Sequence, residues 1–289
     1  MEPVAPANEE AQEAWNGVLF DRFVQYRHRV VAGLAPHGEA AMRATPPRPG
    51  ERVLDIGCGF GDTSRQLAPL VGSEGSVLGI DVAERFIAAA RKEAAQSGVA
   101  NVSFEVADVE TMSLEPQFDY AFSRFGTMFF ANPVVAMGNV RRALVPGGRL
   151  CIVVWRRKLD NPWLHRAETV VDEFLEEPEE TDEPRCGPGP FSMADADSVS
   201  HQLVLAGFAD IALRRCDLPL VIGGDLDEAV ALNMALGPAG ELIRLAGAEA
   251  DRIRPRIETA LHHALAEFAG PGGVVANSST WIVTAQVPG

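Results

Sequence analysis

The sequence predicts an α/β fold, a doubly wound and mostly parallel seven-stranded sheet whose last strand runs antiparallel. Three observations predict it. Short apolar runs alternate with helical stretches from residue 52 to residue 155. These runs are almost continuously apolar, as strands are when helices cover both faces of a sheet. The first run, Val53-Leu54-Asp55-Ile56, opens into a turn with Gly57, Gly59 and Gly61 and a helix behind it. Such a turn lets backbone approach a ligand closely.

Taken in order, residues 1–8 carry no pattern and are expected to be disordered. Residues 9–34 set Trp15, Val18, Leu19, Phe23, Tyr26, Val30 and Val31 at three- and four-residue spacings, one apolar stripe of a helix. The Thr-Pro-Pro-Arg-Pro-Gly stretch at 45–50 stops it. Strand 52–56, helix 62–71, strand 76–80 and helix 83–97 follow. Next come strands 102–106 and 118–123, helix 133–144, a Pro146-Gly147-Gly148 turn and strand 149–155. The alternation then breaks. Residues 156–200 hold Pro162, Pro178, Pro184, Pro188 and Pro190 and an acidic run over 172–183, read as a solvated helix end and loop. A helix over 192–206 ends at Gly207, a good C-cap. A strand over 209–218, a helical stretch over 225–269 interrupted at Gly237-Pro238, and a strand over 274–287 complete the chain. The organisation expected is an N-terminal helical segment over the site (1–45), a ligand-binding core (46–156), a cap and linker (157–206) and a C-terminal completion of the sheet (207–289) with a helical insertion at 225–269.

At 289 residues and 47% hydrophobic, the chain is long enough for one large α/β domain with a cap. The net charge of −15 argues against nucleic-acid and anionic-membrane partners, which require a basic surface. The four cysteines, Cys58, Cys151, Cys186 and Cys216, lack metal-ligand spacing and read as small buried residues in a reducing compartment. The first residues carry neither a basic region nor an apolar h-region, and no run of 18 apolar residues occurs, so a cytoplasmic protein is expected. Oligomeric state is open, with a homodimer as the candidate assembly.

Ligands of open α/β sheets bind at the carboxyl ends of the strands. Asp55 ends the first strand and can face the ammonium of an amino acid, or cap local amides. Asp81 ends the second, 20 residues after Gly61, where a carboxylate can accept both ribose hydroxyls or serve a helix start. Asp108 ends the third and can accept from an adenine amine, with Val82 and Val109 as apolar faces for the ring. A dinucleotide fingerprint needs a glycine at position 62, which is Asp62, an acid that would repel a pyrophosphate. S-adenosyl-L-methionine (SAM), which carries adenosine, a sulfonium and an amino acid but no phosphate, fits better.

On these segments, together with 118–125 and 144–148, the chain resembles the class I SAM-dependent methyltransferases of the UbiE/COQ5-like, methyltransferase-domain group. The resemblance covers roughly residues 50–156. It implies a Rossmann-like core, SAM as cofactor and S-adenosyl-L-homocysteine as product. The implied cofactor residues are Asp55, Gly57, Cys58, Gly59, Gly61, Asp81, Val82, Asp108, Val109, Ser123 and Arg124. It does not identify an acceptor beyond a small molecule.

Methyl transfer from a sulfonium needs chiefly alignment, and a base only where the acceptor starts protonated. His28 and His165 are the candidate bases. Arg124 is a candidate partner for an acceptor carboxylate, or for Asp55 or Asp108. Aromatic residues of the N-terminal helix, of 125–130 and of 155–165 are candidate walls of the acceptor pocket. The competing readings are a SAM-binding protein without catalysis, a nicotinamide-dependent oxidoreductase and a nucleic-acid methyltransferase. Ser123-Arg124-Phe125-Gly126 stands where the last would carry an Asn/Asp-Pro-Pro-aromatic motif.

Overall fold

A computed structural model of the chain describes residues 4–177 and 184–289. Pro178 and positions 178–183 of the acidic run lie outside the described residues.

The core forms as the apolar runs dictate. Strands β1 (Arg52–Ile56), β2 (Ser76–Asp81), β3 (Val102–Val106), β4 (Phe118–Arg124) and β5 (Leu144–Trp155) are joined mainly by helices α4 (Asp62–Val71), α5 (Glu84–Ser97) and α6 (Pro133–Ala143). They pair in parallel in the order β3-β2-β1-β4-β5. Strand order therefore reverses between β1 and β4, and their carboxyl ends open a crevice there. Strands β6 (Ala209–Gly223) and β8 (Gly273–Gln286) extend the sheet, with β8 antiparallel between β5 and β6. The two-residue β7 (Ala269–Gly270) pairs with β8 and brings the sheet to eight strands rather than the seven expected. Val53, Leu54, Ile56, Tyr120, Phe122, Leu150 and Ile152 form its buried centre.

Several boundaries differ for physical reasons. The single helix expected over 9–34 is three: α1 (Glu9–Asn16), α2 (Val18–Gln25) and α3 (Arg27–Ala44), broken at Gly17 and Tyr26. The break lets α2 lay Phe20 and Phe23 against Phe86, while α3 turns away to pack on β6 and β5. Residues 4–8, expected to be disordered, are ordered by hydrogen bonds to Asp108. β6 runs five residues past the expected 218, through Pro219, because it is the edge of the sheet, where a missing N–H is tolerated. The helix expected from 192 starts only at α8 (Ala196–Leu205), where the Asp195 carboxylate accepts from the Ser198 amide at 2.8 Å.

The remaining helices build a cover. α7 (Pro162–Asp172) follows β5, and α9 (Leu226–Ala235), α10 (Gly237–Ala246) and α11 (Ala248–Leu265) fill the connection from β6 to β7 and β8. These four pack on one another, and α8 packs separately against α6 and β6. No helix among the described residues is long and apolar enough to cross a membrane.

Candidate active site

The turn after β1 owes its path to close backbone approach. Gly57, Gly59 and Gly61 all have positive φ, at 64°, 52° and 71°. A Cβ on Gly57 would sit 2.9 Å from the Cα of Gly126, so the β1 and β4 turns touch backbone to backbone. A Cβ on Gly61 would lie 2.6 Å from the Phe104 ring. That explains why glycine stands at 61 although it faces α5 and β3 rather than the crevice.

Three carboxylates end the three strands, each in a different setting. Asp55 is only 1% exposed and accepts from Ser64 Oγ at 2.6 Å. Burial lifts its carboxyl to about 7, against the opposing pull of Ser64 and Arg124. Asp81 accepts from the Gly59 amide at 3.0 Å through one oxygen and from the Ala83 amide at 2.9 Å through the other. Burial raises its pKa and those amides lower it. Asp108 accepts from the Ala5 amide at 2.9 Å, the Glu110 amide at 2.9 Å and both ways from the Asn8 side-chain amide at 3.0 and 3.1 Å. The N-terminal turn therefore already holds the carboxylate read as the adenine acceptor. Gln12 donates to the Val82 carbonyl at 3.1 Å, which fixes α1 over the same strand ends.

Asp62, read from sequence as an acid facing a ligand, does line the cavity, but its carboxylate is paired. Arg27 and Arg65 hold its carboxylate at 3.0 and 2.7 Å, and both also pair with Glu93. Its charge is compensated, so repulsion of a diphosphate is a weaker argument than the spacing of the glycines.

A cavity of about 820 Å³ opens from these strand ends. Asp55, Gly57, Cys58, Gly59, Asp81, Val82, Asp108 and Val109 line one half. The other half is apolar, with Phe125, Phe129 and Trp155 from the strand ends and Val30 and Leu34 from α3. Trp163 and Leu164 of α7, Leu232 of α9, Leu242 of α10 and Leu236 between those two helices close it. The Phe125 and Trp155 rings stack at 4.4 Å, and Phe125 takes a positive φ of 62° to reach that position. Trp15 closes the front, packed on Phe129 at 4.9 Å and donating to the Cys186 carbonyl at 3.2 Å.

Besides Gly61, three of the residues singled out in the sequence lie off the cavity lining. Ser123 is fully buried and donates to the Ile56 carbonyl at 2.7 Å, bracing β4 to β1 without facing the cavity. Neither His28 nor His165 reaches the cavity. His28 is two-thirds exposed and pairs with Glu228 at 3.0 Å, and His165 lies on α7 beyond the lining. Both are withdrawn as bases. Helical periodicity carries no information on which flank of a stripe turns inward. The sequence offers 225–269 as part of a cap without naming which residues of α9 and α10 form the wall, nothing in it points to Asn8, and Gly126 leaves a local signal as a second glycine facing the first turn.

Comparison with known proteins agrees with this geometry. Residues 47–189 match the family described as methyltransferase domain. Aklanonic acid methyltransferase DauC of Streptomyces sp. (strain C5) is 40% identical over 116 residues, 40% of this chain and 53% of that protein. Nocamycin O-methyltransferase of Saccharothrix syringae is 29% identical over 216 residues, 70% of this chain and 75% of that protein. The chain spans about half the length of the curated relatives it matches first. The YcgJ protein of Bacillus subtilis, a solved structure, superposes with a TM-score of 0.58 at 17% identity over 87% of this chain and 98% of its own, a likeness of fold. Over residues 47–189, just under half its length, the chain carries a segment that matches the methyltransferase domain family and is similar to small-molecule methyltransferases.

Proposed function

We propose that the protein is an enzyme that methylates a small, largely apolar acceptor with SAM. The observation that carries the reading is one continuous cavity that joins three strand-end carboxylates to an aromatic and aliphatic chamber. Its volume of about 820 Å³ lies near the top of the range usual for small-molecule sites, roughly 300–1,000 Å³.

The residues present fit the cofactor. Bound there, it supplies a methyl group already activated on a sulfonium. Asp55 faces the amino-acid ammonium. The Asp81 oxygens, fixed by the Gly59 and Ala83 amides, keep lone pairs for ribose hydroxyls. Val82 and Val109 flank the base, and Asp108 accepts its amine once Asn8 gives way. Gly57, Cys58 and Gly59 offer backbone at contact distance. The chain's contribution to the rate is alignment of the acceptor and exclusion of water by α1, α7, α9 and α10. In the domain terms read from sequence, residues 1–45, the cap at 157–206 and the insertion at 225–269 act as the cover and 46–156 as the cofactor core. A cytoplasmic protein without a nucleic-acid partner is in keeping with the net charge of −15. Sedimentation reads whether it forms the candidate homodimer.

Calorimetry on the purified protein tests the reading. S-Adenosylhomocysteine binds and NADH does not. Asp81→Asn weakens the former by at least about tenfold, the scale of one charge-assisted hydrogen bond. An equal loss for an analogue without ribose hydroxyls would place the effect in the turn instead. Retention of NADH with no binding of the homocysteine compound overturns the proposal.

A further inference from the structure

Four cationic side chains line the cavity: Arg29, Arg124, Lys158 and Arg185. Three are committed to carboxylates: Arg29 to Glu228, Lys158 to Glu168 and Arg185 to Glu177. Arg124 is not. It ends β4 at the point where strand order reverses, and its stem presses on Gly38 of α3, where a Cβ would lie 3.0 Å from its Cδ. Its Nη1 is buried and has no hydrogen-bond partner, and no ion pair involves the residue among the described residues. Asp55, Asp62 and Glu39 act on it only through space. Asp62 is neutralised by Arg27 and Arg65, and Asp55 is bonded to Ser64.

A guanidinium nitrogen buried without a partner is costly, because its desolvation is not repaid. Such groups persist where a ligand supplies the missing partner. A second orphan points the same way. Trp163 lines the apolar half, and its indole Nε1 is buried without an acceptor. Both unsatisfied buried side-chain atoms on the cavity lining are thus donors. Among the described residues the lining carries no histidine or tyrosine, and its carboxylates Glu168, Glu177 and Glu241 are already paired with Lys158, Arg185 and Arg244.

Resting on the methyltransferase reading, we propose that Arg124 is a carboxylate-binding residue and that the acceptor is an apolar organic acid that enters the chamber as its anion. The guanidinium offers parallel donors that match a carboxylate, and the aromatic walls take the apolar body. One carboxylate oxygen attacks the methyl carbon as the sulfur–carbon bond breaks, giving a methyl ester and the neutral thioether, so no proton has to be removed, in agreement with the two candidate histidines lying outside the cavity.

The test uses the full chain saturated with S-adenosylhomocysteine and two flat probes, 2-naphthoate and neutral 2-naphthamide. The wild-type protein binds the acid at least about tenfold more tightly than the amide, and Arg124→Met abolishes that preference while Arg124→Lys keeps part of it. Equal binding of acid and amide to the wild type overturns the proposal, and that comparison stands even if the methionine variant fails to fold. So does a preference that survives in Arg124→Met. A third result also overturns it: Arg124→Met weakens S-adenosylhomocysteine but not methylthioadenosine, which lacks the amino-acid tail. The anion held would then be the cofactor's own carboxylate. Failure of the wild type to bind S-adenosylhomocysteine at all would instead reject the parent reading.

Discussion

Asp55 and Arg124 act on each other through space at the reversal of strand order, one a fully buried acid, the other a partly buried guanidinium whose Nη1 has no partner. Desolvation lifts the Asp55 carboxyl to about 7, well above its ordinary range, so near neutral pH it is poised between two states. A bound ammonium favours the ionised one. Below about pH 7 the carboxyl holds its proton and offers the ammonium little, and above it the charge is present. Affinity for S-adenosylhomocysteine therefore rises by about tenfold from roughly pH 6 to pH 8 and then levels, by linkage to one ionising group. Asp55→Asn binds more weakly and without that slope. Titration calorimetry at several pH values reads it, and a wild-type affinity that is flat or falls with pH removes Asp55 from contact with the ammonium. The three strand-end acids are plain in the sequence, because each directly follows an apolar run. Their different settings are not, because these come from Ser64, Gly59 and Asn8 rather than from neighbours in the chain.

The N-terminal elements show how far local pattern reaches. The stripe from Trp15 to Val31 is legible because its spacing is written in consecutive residues. The breaks at Gly17 and Tyr26 are not, because tertiary packing decides them. The turn at residues 4–8 reads as unstructured because its bonding partner lies about a hundred positions away, at Asp108. This turn holds the carboxylate that an adenine amine would need, and the Asn8 amide presents the same two-hydrogen donor that the amine does. The two compete. Asn8→Ala frees Asp108 and tightens S-adenosylhomocysteine binding by roughly threefold to tenfold, the net value of one ordinary hydrogen bond. Fluorescence of Trp15, which packs on Phe129 above the cavity, should shift on binding in the wild type as α1 readjusts. Weaker binding in the variant would mean that Asn8 completes the adenine site instead of occupying it.

At the scale of the molecule, the parallel half of the sheet is readable because its strands are short, mainly apolar runs set between helical stretches. The acceptor chamber is only partly readable. Its walls come from α3, the β4 and β5 loops, α7, β6 and α9 and α10, segments far apart in the chain that no periodicity links. One buried residue ties the wall formed by α3 to the antiparallel end of the sheet. His37 is fully buried, with one ring nitrogen 2.7 Å from Ser278 Oγ and the other 3.0 Å from Thr280 Oγ1, both on β8. Burial lowers its pKa to about 4. Nothing in the local sequence separates it from His28 or His165, which lie outside the cavity. A histidine whose folded pKa is depressed stabilises the fold above its unfolded value, about 6.5, and that contribution is lost as pH falls toward the folded one. Lowering the pH from about 7 to about 5 should therefore cost on the order of 2 kcal/mol through this residue alone, an upper bound from linkage. In His37→Gln, whose amide can still bond both hydroxyls, that part of the acid loss disappears while the contribution of the carboxylates remains. Urea unfolding of both proteins across this pH range measures the difference. Parallel pH profiles would show that α3 is held to β8 by packing and that protonation of His37 does not loosen the chamber.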